Sequence, residues 1–168
     1  MSSKKNIAWL VVGVIAIVGL IWFLASVGTR GTQSYSVSES ESPPKIAFSS
    51  ANNDWGEIDT SEQVAEVEVM NEGLSDLIIY RVSTSCSCTK AEVKMGEIRT
   101  GFQSMSQGSF AHKQIVIKPG EKGSLSVKYD PLYHGKPSLG SIKRSVYLRT
   151  NDPENPEAVV SFKARYNG

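Results

Sequence analysis

Two cysteines, Cys86 and Cys88, are the residues whose type and spacing are best suited to chemistry. Positions two apart on an extended strand face the same side, with their Cα atoms about 6.6 Å apart. That distance is close to the upper limit for a disulfide, so a disulfide here requires a bent backbone. Two neighbouring thiolates can instead bind one soft metal ion. The spacing therefore leaves three interpretations open: buried packing residues, a disulfide bond or a metal centre.

A metal centre requires ligands beyond the two cysteines. Side chains of suitable chemistry lie in irregular stretches of the sequence, and the full candidate set is Cys86, Cys88, Met105, His112 and His134. Soft thiolate and thioether sulfurs favour Cu(I), whereas two cysteines with two histidines would suit Zn(II). The Cys-x-Cys spacing is one residue shorter than the usual zinc minimum. If a metal is bound, the residues favour copper(I) over zinc.

The sequence lacks the motifs that indicate catalysis, so we predict that the protein is not an enzyme. Its two histidines do not stand in a metalloprotease helix motif. No glycine-rich phosphate loop opens a helix, and nothing in the sequence points to a general base beside a serine. The formal net charge of +1 also predicts no nucleic-acid partner.

The N-terminal region has the pattern of a membrane anchor. Residues 7–27 contain no charged side chain and are about long enough to cross a bilayer as one helix. Lys4 and Lys5 precede this segment, so the positive-inside rule places residues 1–6 in the cytoplasm and the C-terminal domain outside. A cleaved signal peptide is the alternative. Its apolar core is normally about 7 to 15 residues long, and the greater length here favours an uncleaved transmembrane helix.

Beyond the anchor, the sequence predicts a linker and one folded domain. Residues 28–44 are rich in serine and end in two prolines, which is typical of a flexible tether. Residues 45–168 contain short alternating segments such as Ser124 to Tyr129, separated by turn signals. About seven such strands predict an all-β, Ig-like antiparallel sandwich. Leu77 to Val82 is apolar on both faces, which predicts a strand at a sheet centre.

Two irregular stretches could bring the candidate ligands to the cysteines. Residues 94–113 are rich in Gly, Ser and Gln and include Met105 and His112. Residues 130–140 form a second predicted loop, which includes His134. Connections of about 20 residues are long for a small domain and are usually functional or mobile.

Several short motifs make the domain resemble a bacterial family of uncharacterised extracytoplasmic proteins, whose hallmark is a Cys-Gly-Cys-Thr element after a strand. The matching pieces are Trp55-Gly56-Glu57-Ile58, Val69-Met70-Asn71-Glu72-Gly73, Thr84-Ser85-Cys86-Ser87-Cys88-Thr89, Lys118-Pro119-Gly120-Glu121-Lys122-Gly123, Tyr129-Asp130 and Thr150-Asn151-Asp152-Pro153. Ser87 stands where the family usually has glycine. The family is similar to the Hydin and major-sperm-protein type of Ig-like domain, which implies a seven-stranded sandwich and no known catalytic activity.

Two functions from different classes remain. The favoured one is a membrane-anchored extracytoplasmic module that binds or scaffolds an unidentified protein partner without catalysis, because antiparallel sandwiches expose edge strands and large faces. The alternative is a metal-handling protein that uses the Cys-x-Cys element to bind Cu(I) or, less favourably, zinc.

Overall fold

A computed structural model describes residues 42–105 and 113–168. The predicted cytoplasmic N-terminus, transmembrane helix and most of the linker precede this part of the chain, and His112 falls between its two ranges. Those predictions therefore lie outside the described residues. Within the described residues, no helix is long and apolar enough to span a membrane.

The described residues form ten strands, most of them with the alternation expected of a sandwich. In chain order they are β1 Ile46–Phe48, β2 Asn52–Ile58, β3 Gln63–Asn71, β4 Leu77–Thr84, β5 Thr89–Met95, β6 Ile98–Arg99, β7 Ile115–Ile117, β8 Lys122–Tyr129, β9 Gly140–Thr150 and β10 Glu157–Tyr166. In β8, for example, Leu125, Val127 and Tyr129 are buried while the residues between them are only partly buried. One face of each such strand therefore contributes to a core.

The strands form two five-stranded sheets, one in the order β1-β3-β8-β5-β6 and the other in the order β2-β10-β9-β4-β7. Every pairing is antiparallel except that of β2 with β10. The predicted all-β, Ig-like sandwich is confirmed. More strands are present than the seven predicted because β1, β6 and β7, at the sheet edges, are segments of only two or three residues.

The core lies between the facing sides of the two sheets. Its main cluster is aliphatic and includes Leu77, Val127 and Leu148, with Phe162 as its largest side chain. A second cluster lies at one end of the sandwich and consists of Ile58, Cys88, Tyr129, Ile142, Ala164 and Tyr166. Cys88 is a member of this second cluster, and Cys86 packs against it.

The prediction that the apolar run of β4 lies at a sheet centre and is covered on both faces is wrong. Strand β4 lies between β9 and β7, one position from the sheet edge. Leu77 and Ile79 are buried, whereas Tyr80 is 42% exposed. The register shifts between Ile79 and Arg81, so the residues that face the core change parity along the strand. Buried residues therefore lie at odd-numbered positions before the register shift and at even-numbered positions after it, all on the one covered face.

One stretch predicted to be irregular, residues 94–113, is partly extended in the structure. Part of the predicted long loop after Val93 continues β5 and returns as β6 through a turn at Gly96, whose φ is +56°. The backbone groups of Ala91 and Gln103 also exchange two hydrogen bonds of 2.8 Å. The first part of that stretch therefore extends the sheet.

Candidate functional site

A tight turn at the end of β4 places the two cysteines. The hydroxyl of Thr84 donates to the carbonyl oxygens of Cys86 and Thr89, at 2.7 and 3.0 Å. The amide of Thr89 donates to the carbonyl oxygen of Cys86 at 3.1 Å, which closes the turn. Ser87 lies within this turn with φ below zero, a conformation that does not require glycine. The backbone is therefore bent at the cysteines and does not continue β4.

Cys86 and Cys88 form a disulfide bond, with their Cα atoms 5.2 Å apart. This distance is shorter than the 6.6 Å expected for an extended strand, so the requirement for a bent backbone is met. The two residues differ in exposure, because Cys88 is 3% exposed and Cys86 is only half-buried. In the oxidised state neither sulfur is a thiolate, and a metal could be bound only after reduction.

His134 is the candidate ligand that the fold places beside the cysteines. It belongs to the loop between β8 and β9, and its Nε2 atom lies 3.4 Å from the Sγ atom of Cys86. The ligand atoms of Cys86, Cys88 and His134 all lie within 4.8 Å of one another. The ring of Tyr133 packs edge-on against the imidazole with a centroid distance of 4.8 Å. The predicted approach of a loop histidine to a cysteine sulfur is thus present in the structure.

Arg144 is a site residue that the sequence analysis did not identify. Its Nε atom donates to the Sγ atom of Cys88 at 3.2 Å. A signal was available, because Arg144 has the same parity along β9 as Ile142 and Val146, both of which face the core. A charged residue on an otherwise apolar strand face is unusual and indicates a specific partner.

The guanidinium of Arg144 packs on a column of three stacked aromatic rings, those of Tyr129, Trp55 and Phe162. The guanidinium carbon lies 5.0 Å from the centroid of the Tyr129 ring, in a cation–π contact. The Tyr129 ring stacks on Trp55 at 5.7 Å, and Trp55 stacks on Phe162 at 4.9 Å. This agrees with the interpretation of Trp55 and Tyr129 as core aromatics. The guanidinium therefore lies between the ring of Tyr129 and the disulfide.

The surface next to the disulfide is both apolar and cationic. Three exposed apolar side chains of the loop before β9, Leu132, Tyr133 and Leu139, are between 48% and 71% exposed. A neighbouring open cavity of about 370 Å³ is lined by Lys136, Lys143 and Arg144, together with neutral residues and His134, and contains no acidic side chain. The cavity lining is therefore positively charged and lies next to exposed apolar side chains, and the same loop also carries the exposed carboxylate of Asp130.

Two predicted ligands remain, Met105 and His112. Met105 is 56% exposed and follows the bridge between Ala91 and Gln103 at the outer edge of the first sheet. His112 lies outside the described residues. The structure therefore brings together three of the five candidate residues, and the complete metal set stays a prediction.

Comparison with known proteins supports the fold and leaves the activity open. Residues 46–117 match the profile of the family described as a protein of unknown function (DUF1573). The matched range includes both cysteines and ends before His134 and Arg144. A search of curated proteins found no match. The Cys-Gly-Cys-Thr hallmark and the relation to the Hydin type are not tested by these findings and stay predictions.

Solved structures with a similar fold include a protein of unknown function from Porphyromonas gingivalis W83. That match has 22% sequence identity and a TM-score of 0.55, and it covers 73% of this chain but only 46% of the other. This chain therefore spans about half the length of that relative. PapD-like domain 7 of human CEP192 matches with 10% identity and a TM-score of 0.41 over 75% of this chain and 86% of that domain. The match to the Porphyromonas gingivalis protein supports the fold alone.

Proposed function

We propose that the protein is an extracytoplasmic binding or scaffolding module, not an enzyme, that recognises its protein partner through the disulfide end of the sandwich. The observation that carries the proposal is the presence of exposed Leu132, Tyr133 and Leu139 in one loop. Exposed apolar residues grouped in this way on a small domain mark an interaction site more often than scattered ones do. Loops at the end of a rigid sandwich are also well suited to binding.

The charge around the loop indicates the chemistry of the partner. Lys136, Lys143 and Arg144 line the cavity, and none of them takes part in an ion pair among the described residues. Complementary charge steers association and excludes partners of the same sign. The partner surface that fits is therefore an acidic polypeptide segment that carries an apolar side chain for the loop.

Site-specific photocrosslinking in intact cells tests this proposal. With p-benzoylphenylalanine replacing Leu139, we expect one covalent adduct of defined mass. The matched control has the same crosslinker at Leu74, which is 65% exposed between β3 and β4, at the opposite end of the sandwich. Reversing two cavity charges, with Lys136→Glu and Lys143→Glu, should remove the adduct because the partner segment is acidic.

A second control separates a specific charge effect from a change in net charge. Lys45→Glu combined with Lys118→Glu makes the same overall change at exposed positions near Asn71, at the opposite end, and the adduct should persist. Equal adducts from Leu139 and Leu74, or an adduct that survives reversal of the cavity charges, would show that the disulfide end is not the recognition surface.

The membrane attachment is proposed from residues 7–27 and rests on the sequence alone. We expect the full chain to stay in the membrane fraction after alkaline extraction. Protease added outside intact cells should remove the folded domain. A mature protein that begins near residue 28 would contradict the anchor, and complete protection from protease would contradict the orientation.

The grouping of Cys86, Cys88 and His134 favours a second candidate function, the binding of a soft metal ion after reduction of the disulfide. Two thiolates and one imidazole nitrogen within 4.8 Å of one another could form a three-coordinate site with little movement. Thiolate sulfur selects Cu(I) over harder ions. The reduced protein should therefore bind one Cu(I) more tightly than Zn(II).

Anaerobic competition between the reduced full chain and a Cu(I) chelator tests the metal candidate. We expect Cys88→Ser to abolish binding and His134→Ala to weaken it at least about tenfold, equivalent to about 1.4 kcal/mol. Ser138→Ala, an exposed change in the same loop, serves as the matched control and should have no effect. The candidate fails if His134→Ala binds Cu(I) as tightly as the wild-type protein does.

A further inference from the structure

The two sulfur atoms of the disulfide have different surroundings. The Sγ atom of Cys88 belongs to the buried end of the core and accepts a hydrogen bond from the Nε atom of Arg144 at 3.2 Å. It also lies 3.7 Å from the hydroxyl oxygen of Thr89. Cys86 is half-buried, and its sulfur lies beside the exposed side chain of His134. The Sγ atom of Cys86 accepts a hydrogen bond from the backbone amide of Cys88, also at 3.2 Å. The two sulfurs therefore differ in burial and in the charge of the donor, because Cys86 is the less buried residue and the donor to Cys88 is a guanidinium.

We propose that the Cys86–Cys88 disulfide undergoes thiol–disulfide exchange with a protein dithiol, in which Cys86 is the sulfur attacked and Cys88 is the leaving group. Exchange requires access to the attacked sulfur and is faster when the departing thiolate is stabilised. Cys86 meets the first requirement, and Cys88 with Arg144 meets the second. This reaction adds to the proposed binding function and does not depend on it.

The bonds and electrons balance in two displacements. A partner thiolate attacks the Cys86 sulfur, a new sulfur–sulfur bond forms, and the Cys86–Cys88 bond breaks with its electron pair on Cys88. The partner's second thiolate then attacks the partner's first sulfur, which is bonded to Cys86 in the mixed disulfide, and releases Cys86 as a thiolate. The partner dithiol is oxidised to a disulfide, the cysteine pair is reduced by two electrons, and two protons pass from the partner's thiols through solvent to the cysteines.

Arg144 is suited to the role of stabilising the leaving thiolate. Its guanidinium carries a permanent positive charge and does not give up a proton, so it stabilises a thiolate without protonating it. A charge-assisted hydrogen bond of this type is roughly twice as strong as a neutral one. The stack on Tyr129 holds the group in place before the bond breaks, so little reorganisation is required.

Reaction of the oxidised full chain in detergent with reduced glutathione, in the presence of a metal chelator, tests the regiochemistry. Acid quenching, alkylation of free thiols and peptide mass spectrometry identify which cysteine carries glutathione. We expect glutathione on Cys86 and the alkyl group on Cys88. Glutathione on Cys88, or a disulfide that does not react, would overturn the proposal. Because neither the docking partner nor a metal is required, this result is independent of both candidate functions above.

The role of Arg144 has its own variant pair. Arg144→Gln should slow the exchange about tenfold, as expected for loss of a charged hydrogen bond. Lys90→Gln makes the same charge change at an exposed position two residues after Cys88 and should leave the rate unchanged within about twofold. Equal rates in the two variants would overturn the role of Arg144. Thermal unfolding and tryptophan fluorescence check that the ring column beneath Arg144 is intact.

Single-cysteine variants give a second measurement that does not involve Arg144. The thiol of Cys86 in Cys88→Ser should react with an aromatic disulfide reagent at least about tenfold faster than the thiol of Cys88 in Cys86→Ser, because a buried thiol is less accessible. Similar rates for the two thiols would contradict the assignment of Cys86 as the sulfur attacked.

Discussion

The two ends of the sandwich bury polar groups in different ways. At the end where β3 finishes, Asn71 and Asp152 are both 1% exposed. The amide group of Asn71 donates to the carbonyl oxygens of Ser75 and Ile117 and accepts from the backbone of Gly73. At the opposite end, the buried hydroxyl of Thr84 donates to two carbonyl oxygens, and Arg144 donates to the disulfide sulfur of Cys88. Both ends use conventional hydrogen bonds, and the opposite end adds a bond that can be reduced.

The difference indicates which end stabilises the fold and which end is available for chemistry. The carboxylate of Asp152 accepts hydrogen bonds from the backbone amides of Ile46, Glu154 and Asn155 and from the Asn155 side chain. These bonds connect the first strand to the last turn. The disulfide connects residues only two positions apart, so it constrains little of the unfolded chain. Four experiments test this contrast, from the largest expected effect to the smallest.

Asp152→Ala should cost about 3 kcal/mol of stability, because several buried donors lose their partner. The measurement is the free energy of unfolding in denaturant. Asp130→Ala is the matched change at the disulfide end, where the carboxylate accepts one hydrogen bond from Leu132 and is exposed. That variant should lose about 1 kcal/mol or less. Equal losses would remove the distinction between the ends.

The pH dependence of stability should identify Asp152 as well. Burial raises the pKa of its carboxyl, but hydrogen bonds from Ile46, Glu154 and Asn155 outweigh burial and lower it overall. A folded-state pKa below the unfolded value of about 3.9 gives stability that is complete above that pH and is lost as the pH falls through the folded pKa. The free energy of unfolding should therefore change less between pH 5 and pH 2 in Asp152→Asn than in the wild-type protein. An unchanged slope of this free energy against pH would contradict the role of Asp152.

Reduction of the disulfide should have a smaller effect on stability than Asp152→Ala. A loop of three residues gives a chain-entropy contribution of about 1.5 kcal/mol. Denaturant unfolding with and without a phosphine reductant measures the loss, with Asp152→Ala as the internal reference. A loss of more than about 3 kcal/mol would show that the disulfide is mainly a structural element.

Leu139→Ser should change the free energy of unfolding by less than about 0.5 kcal/mol, because Leu139 is 71% exposed. The comparison is Leu148→Ser on the next strand, where the side chain is fully buried and the loss should be at least about 3 kcal/mol. If Leu139→Ser is strongly destabilising, the loop contributes to the fold and its apolar residues are not a free recognition surface.

Local pattern was sufficient to predict most of the fold. The alternation from Ser124 to Tyr129 predicted β8, Lys122–Tyr129, to within two residues, and turn signals separated the short strands. These features are predictable because side-chain parity and turn chemistry depend on neighbouring residues. The burial of β4 was mispredicted because its register shift depends on the partner strand and is not recorded in neighbouring residues.

The sequence by itself identified Cys86 and Cys88 as the residues best suited to chemistry and showed that a bond between them requires a bent backbone. Only the tertiary structure decided what surrounds them. His134 is 48 positions from Cys86, and Arg144 is 56 positions from Cys88. Their approach depends on the pairing of β4 with β9 and of β5 with β8, which brings the ends of distant strands to one corner. Strand order is set by packing across the whole core, and no local spacing in the chain records it.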